Sequence, residues 1–365
     1  MQRYCTATYM GGVHGVRGRW MSAQGALRWL PFGVMAAVAV TDVLAGPSLG
    51  FLPLLTLGPS FASVSGGVQR TAMVGLVALA LCIPLAAYNG LLLRWQNNLT
   101  IVTIVGVTGV GMLAGHLRLR RERELADVRL VAEAAQRVLL RPVPRRAADL
   151  QVALSYTSAA AEARIGGDLY EVVTTPHGVR LLIGDVQGKG LEAVETAAWV
   201  LGAFREAAYD EPELEEVSAR LEASLARHLG GEKFVTAILA EVHDGEILLL
   251  NHGHPPPLHL GADGRAAAVE PADAGLPLGL GPLASGRPKA HQVSFRGGDR
   301  ILLFTDGVIE ARDDGGAFYP LSERVHLLRS DDPQDALDAL RADLVRHTGG
   351  PLPDDAAMLL LHRQT

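Results

Sequence analysis

Cysteine is nearly absent from this chain: Cys5 and Cys82 are the only two in 365 residues. That excludes a disulfide framework, a thiolate zinc site and a cysteine nucleophile. A basic footprint is absent as well. The net charge is −6, and no Lys/Arg cluster interleaves with aromatics, which argues against a nucleic-acid partner. Charge of either sign is nearly missing from residues 30–117, whereas nearly all acids lie after position 122. Repeats and low-complexity tracts are not seen. No small-residue cleavage site follows the first apolar run, and more apolar runs come after it, so a signal peptide is a poor reading. Met1 and Met21 both remain open as the true start.

What the uncharged region contains is four apolar segments, at roughly 30–46, 49–64, 72–93 and 99–117. The third and fourth are long enough to cross a hydrocarbon core of about 30 Å. The first two are shorter, and the second carries Pro53 and Pro59, so a helical hairpin bending inside the bundle is the alternative. Arg17, Arg19 and Arg28 precede the set; Arg118, Arg120, Arg121 and Arg123 follow it. With an even number of spans the positive-inside rule places both termini in the cytoplasm. Connections are too short for a sensor domain outside the cell. Asp42 is either a functional intramembrane acid or a hydrated structural one near the boundary.

From His116 to Arg141 the chain is charged and free of Gly and Pro. Leu125, Val128, Ala132, Ala135 and Leu139 alternate spacings of three and four. That seam suits a parallel helix pair, hence a homodimer, or one amphipathic helix packed on the following domain. Pro142 and Pro144 end it. The organisation expected is therefore an N-terminal segment (1–29), a membrane region (30–117), a helical linker (118–149) and a globular domain (150–365).

In that domain strand-like runs fall at 151–157, 169–174, 179–184, 235–242, 246–251, 291–295, 300–304 and 356–362. Helical periodicity falls at 191–208, 213–229 and 333–347. Hairpin links such as Asp244-Gly245 favour antiparallel pairing and an α+β class. Acids stand at four strand ends or turns: Asp168, Asp185, Asp306, and the pair Asp354-Asp355. One such acid is usually a turn residue. Four beside apolar strands suit a hard cation, Mg²⁺ or Mn²⁺, and two such ions about 3.5–4 Å apart activate water for in-line attack on phosphorus.

The motifs run in order as Gly166-Gly167-Asp168, Gly184-Asp185-Val186-x-Gly188-Lys189-Gly190, Asn251-x-Gly253-His254-Pro255-Pro256, Pro277-Leu278-Gly279, Thr305-Asp306-Gly307-Val308 and Asp354-Asp355-Ala356. Together they closely resemble the SpoIIE-like branch of the PPM metal-dependent serine/threonine phosphatases, in particular its membrane-anchored bacterial members. The resemblance implies an αββα sandwich, two antiparallel sheets flanked by helices, here preceded by a four-span all-α membrane region. It implies two Mn²⁺ or Mg²⁺ ions and a phosphoserine or phosphothreonine substrate, often an anti-sigma-factor antagonist. Matched position by position, Asp168, Asp185, Asp306 and Asp354 (preferred over Asp355) are the catalytic metal ligands, with the carbonyl of Val186 or Gly188 assisting. Arg164 falls where related phosphatases hold a phosphate-binding Arg, and Lys189 either neutralises phosphate or caps the turn.

Departures from the pattern are Glu171 for Asp and Ala357 for Thr or Ser. Neither removes a ligand. Asn251 and His254 read as a structural loop at the sheet edge, and a zinc role for His252 and His254 lacks partners. The competing readings are a catalytically silent membrane transducer on the same fold and, more weakly, a histidine kinase holding ATP at Asp185.

Overall fold

The computed structural model describes residues 17–46, 51–92, 94–158, 166–228, 233–271, 273–283 and 286–364. It divides into two compact units, Met1–Ala126 and Asp127–Thr365.

The first unit holds α1 (Arg17–Ala45), a 3-10 turn (Leu52–Thr56), α2 (Leu57–Ser65), α3 (Val68–Tyr88) and the start of α4 (Trp95–Leu139). Among the described residues three helices are long and apolar enough to cross a membrane, Arg28–Ala45, Val68–Tyr88 and Trp95–Glu124; the expected count of four is not confirmed. The segment expected at 49–64 is the exception. Its apolar helical stretch, Leu52–Val64, reaches only about 20 Å at 1.5 Å per residue. It opens as a 3-10 turn, Leu52–Thr56, with Pro53 in its first turn. The stretch still returns the chain to its starting end: the Arg70 guanidinium, in the first turn of α3, donates to the Arg28 carbonyl.

Inside this unit Met35, Leu55, Val74 and Ile104 form a buried apolar cluster, and glycines allow close approach beside it. An added Cβ on Gly75 would lie 2.5 Å from the Thr108 side chain, and one on Gly111 would lie 2.9 Å from Ser63 Cβ. Other large apolar side chains point outward; Leu44 is 82% and Val110 69% exposed. Asp42 is not a hydrated boundary residue. It is fully buried, and its carboxylate accepts from the Phe51 amide at 3.0 Å and from Asn89 Nδ2 at 2.6 Å.

The second unit begins with the last turns of α4. Ala135 and Leu139 pack against Val194, so the end of the expected seam is used within the unit; the side chains of Leu125, Val128 and Ala132 lie outside the described residues. Then come β1 (Arg146–Ala147), β2 (Leu150–Thr157), β3 (Asp168–Thr175), β4 (Gly178–Val186), α5 (Leu191–Asp210) and α6 (Leu214–His228). They are followed by β5 (Val235–His243), β6 (Glu246–His252), β7 (Leu258–Leu260), β8 (Ala266–Ala268), β9 (His291–Ser294) and β10 (Arg300–Phe304). The short α7 (Asp306–Ile309), α8 (Pro333–His347) and β11 (Ala356–Arg363) complete it.

Two antiparallel sheets form, one in the order β1-β2-β11-β10-β7-β8 and the other β3-β4-β5-β6-β9. Each central strand is buried on both faces. In β4, Val179, Leu181 and Ile183 enter the space between the sheets, whereas Leu182 and Val186 meet α5 and α6. In β11, Ala357, Leu359 and Leu361 face the same inner space, and Met358 and Leu360 pack beneath α8. The result is the expected αββα sandwich, with an inner apolar layer and one helical layer on each outer face.

One polar group interrupts this. Arg180 in β4 is fully buried, paired with Glu241 on the neighbouring β5. Its remaining donors reach the carbonyls of Ala208 at 2.9 Å, Glu211 at 2.5 Å and Pro212 at 2.7 Å, pinning the end of α5 to the sheet. Arg180→Met strands Glu241 and three carbonyls, a loss of about 3–5 kcal/mol. Denaturant unfolding of the Asp127–Thr365 unit is expected to report that loss, and the double change Arg180→Met with Glu241→Leu to recover most of it.

Candidate metal centre

Four of the expected residues reach one edge of the sandwich, two from each sheet. Asp168 opens β3 and stands directly across from Asp185, near the end of β4. After β4 the chain must turn sharply into α5, and Gly188 and Gly190 do so at φ of 98° and 91°, where a side chain is strained. Gly167 is needed for a different reason. A Cβ there would lie 2.5 Å from the Val186 carbonyl oxygen and 2.7 Å from Asp185 Oδ1. Those two oxygens therefore both lie close beside the Gly167 backbone.

The other sheet supplies Asp306, at the first position of α7 after β10, and Asp354 and Asp355 just before β11. Between the sheets stands Thr305, which sequence reasoning quoted in a motif without giving it a role. It is fully buried; its hydroxyl donates to Asp168 Oδ2 at 2.8 Å and accepts from the Ala357 amide at 2.9 Å. Ala357 thus contributes a backbone amide, for which the missing hydroxyl at that position is irrelevant. Asp354 Oδ1 accepts from Lys189 Nζ at 2.5 Å and from the Asp355 amide at 2.9 Å. Asp355 is the more buried of the pair and lies against Gly166.

The electrostatics follow from this crowding. Burial, then Asp185, holds the Asp168 carboxyl well above the usual carboxylate range, against the Thr305 hydrogen bond. Burial, then Asp306, Asp354 and Asp355, push Asp185 up to about 7, with Lys189 pulling it down. Asp306 is raised by burial and by Asp354. In all three, burial first and neighbouring negative charge second disfavour the ionised form.

Other expectations resolve separately. Arg164 lies outside the described residues. His254 is neutral, its imidazole lowered to about 4 by burial; Nε2 donates to the Phe304 carbonyl at 3.1 Å and Nδ1 accepts from Thr236 at 3.1 Å. Asn251 bonds the His254 backbone at both ends, 2.8 and 2.9 Å, so this loop is structural, as expected. Glu171 pairs with Arg205 at 2.5 Å, and Arg205 also holds the Leu139 carbonyl at 2.9 Å.

A family model described as stage II sporulation protein E matches residues 175–364, just over half of the chain. The chain belongs to the SpoIIE family. Solved structures agree on the fold. The SiaA-PP2C domain of Pseudomonas aeruginosa aligns at 15% identity over 66% of this chain and 98% of its own, with a TM-score of 0.55. The PP2C phosphatase domain and regulatory fragment of SpoIIE from Bacillus subtilis aligns at 16% identity over 59% of this chain and 64% of its own, TM-score 0.50. The RsbU and RsbW domains of a Mycobacterium tuberculosis protein are 29% identical over 59% of this chain and 60% of theirs, TM-score 0.49. The SpoIIE-family chain thus spans less than two thirds of the length of two of these three relatives.

The donor set fits a hard divalent ion. It is all oxygen, carries excess negative charge, and has a single ammonium, that of Lys189, beside it. Among the described residues no three His, Cys, Asp or Glu side chains already close one coordination sphere.

A pH dependence follows for the metal-free protein. An unfolded Asp titrates near about 3.9, whereas folded Asp185 titrates at about 7. Between those values the folded state holds a proton that the unfolded state has lost, so stability falls as pH rises through this window. Thermal unfolding in chelator is expected to show it. Asp185→Asn should flatten the fall, and Mg²⁺ at pH 8 should raise the melting temperature of the parent but much less that of the variant.

Proposed function

We propose that this protein is a membrane-anchored, metal-dependent serine/threonine protein phosphatase whose catalytic domain faces the cytoplasm. The observation that carries the reading is the convergence of Asp168 and Asp185 from one sheet with Asp306 and Asp354 from the other. Two Mn²⁺ or Mg²⁺ ions held by these carboxylates and the Val186 carbonyl would supply Lewis acidity and an activated water for attack on a phosphate monoester. The protein's own part is positional. Thr305 fixes the rotamer of Asp168, the Gly167 backbone leaves the approach open, and Lys189 provides positive charge for a phosphate oxygen. No covalent protein nucleophile is needed.

The substrate class, phosphoserine or phosphothreonine on a regulatory protein of the anti-sigma-factor-antagonist kind, is carried by family membership. An all-aspartate ligand set favours turnover over a silent transducer.

Membrane anchoring is supported by the exposed apolar surface of the first unit, whose side chains such as Leu44, Leu76, Val102 and Val110 have no partner in water. Arginines gather at the end where α3 starts and the α4 span ends, the pattern of a cytoplasmic face. A homodimer through α4 would use its length before Ala135, since Ala135 and Leu139 are already engaged.

Residues 145–365 are expected to hydrolyse a generic phosphate ester with Mn²⁺ and to stop in excess chelator. Asp185→Asn and Asp306→Asn should each lower turnover by at least about 100-fold, the cost of losing an electrostatic group acting on the transition state. Metal-independent turnover, or near-parent rates in both variants, would refute the assignment.

A further inference from the structure

The first unit contains a cavity of about 560 Å³ lined by Arg28, Trp29, Phe32, Gly66, Gly67 and Arg70. It sits where the α1 and α3 spans both begin, at Arg28 and Val68. The two guanidiniums are brought together by the backbone. Arg70 donates to the Arg28 carbonyl, and its stem lies over Gly66, where an added Cβ would come within 2.8 Å of Arg70 Cδ. Among the described residues no acidic side chain pairs with either arginine.

Three further features point the same way. Gly67 caps α3 without a side-chain hydrogen bond, leaving the first amides of the helix without intrahelical partners. A Cβ on Gly67 would meet nothing within 4 Å, so there is open space on the side-chain side of the cap residue. Beside it Trp29, 72% exposed, tilts against Phe32 with ring centroids 5.9 Å apart, an aromatic pair of the kind that anchors at a membrane interface.

Two arginines without an acidic partner, at a helix start whose cap offers no side-chain hydrogen bond, call for an oxyanion with several acceptors, and the aromatic wall calls for hydrocarbon next to it. We propose that this cavity binds the headgroup phosphate of an anionic phospholipid, with an acyl chain against Trp29 and Phe32. A zwitterionic headgroup is disfavoured, because it brings its own ammonium against Arg28 and Arg70. The inference rests on the membrane reading above. It assigns the arginines a ligand rather than a topological signal alone.

The test uses the full chain in vesicles, with Trp20→Phe, Trp95→Phe and Trp199→Phe leaving Trp29 as the sole tryptophan. Phosphatase turnover of the same samples verifies folding. Phosphatidylglycerol brominated on its acyl chains, present as a minor component in zwitterionic vesicles, is expected to quench Trp29 several-fold more than brominated phosphatidylcholine at the same fraction. Arg28→Gln with Arg70→Gln should reduce that quenching to the phosphatidylcholine level, and Arg28→Lys with Arg70→Lys should largely retain it. Equal quenching by both lipids would overturn the site while leaving the membrane reading standing. Quenching by neither would overturn both. Displacement of brominated phosphatidylglycerol by inorganic phosphate at constant ionic strength would overturn the lipid assignment in favour of a free-anion site.

Discussion

Like charges held close in a region poor in water govern the architecture of the second unit. Asp168 and Asp185 face each other across adjacent strands, and the opposite sheet adds Asp306, Asp354 and Asp355. Nothing in the pairing of strands favours this; each carboxylate raises the cost of ionising its neighbours. The sandwich tolerates it because the rest of the fold is strongly determined. Central strands are buried on both faces, so a register slip would move one apolar row into the wrong layer. Folding energy gathered in three apolar layers is thus used to hold an edge that repels itself, as functional sites commonly do.

Much of this was legible because strands buried on both faces leave long apolar runs. The expected segments at 151–157, 179–184, 235–242 and 356–362 match β2, β4, β5 and β11 to within two residues. Segments too short to carry a pattern were not seen: β1, β7 and β8 have two or three residues each, and α7 has four. The count of four spans is not confirmed for a related reason, since hydropathy counts apolar residues and not the length of the helix they form. Arg180 was illegible in another way. In sequence it is a polar residue between apolar ones, and its partner Glu241 is 61 positions away, so only the register of β4 on β5 reveals a buried pair. The acids were marked by their motifs, but the role of Thr305 needed the distance to Asp168.

The two units obey the same physics in different solvents. In the second, large apolar side chains fill the interior and charges lie outside. In the first, Met35, Leu55, Val74 and Ile104 fill a small core, Gly75 and Gly111 let helices approach closely, and further leucines and valines cover the exterior, as expected where lipid and not water surrounds the protein. Asp42 fits that scheme only because Asn89 and the Phe51 amide satisfy it internally.

Gly167 and Gly307 have a consequence outside chemistry. At Gly307 a Cβ would overlap the Asp355 carbonyl oxygen, and at Gly167 it would press on the Val186 carbonyl, both main-chain atoms that cannot swing aside. Every amino acid one nucleotide away from a glycine codon carries a Cβ. These two positions therefore have no neutral neighbours in the genetic code: a lineage drifting through sequence space can change almost everything around the carboxylate edge, yet at these codons its only silent step is the third base.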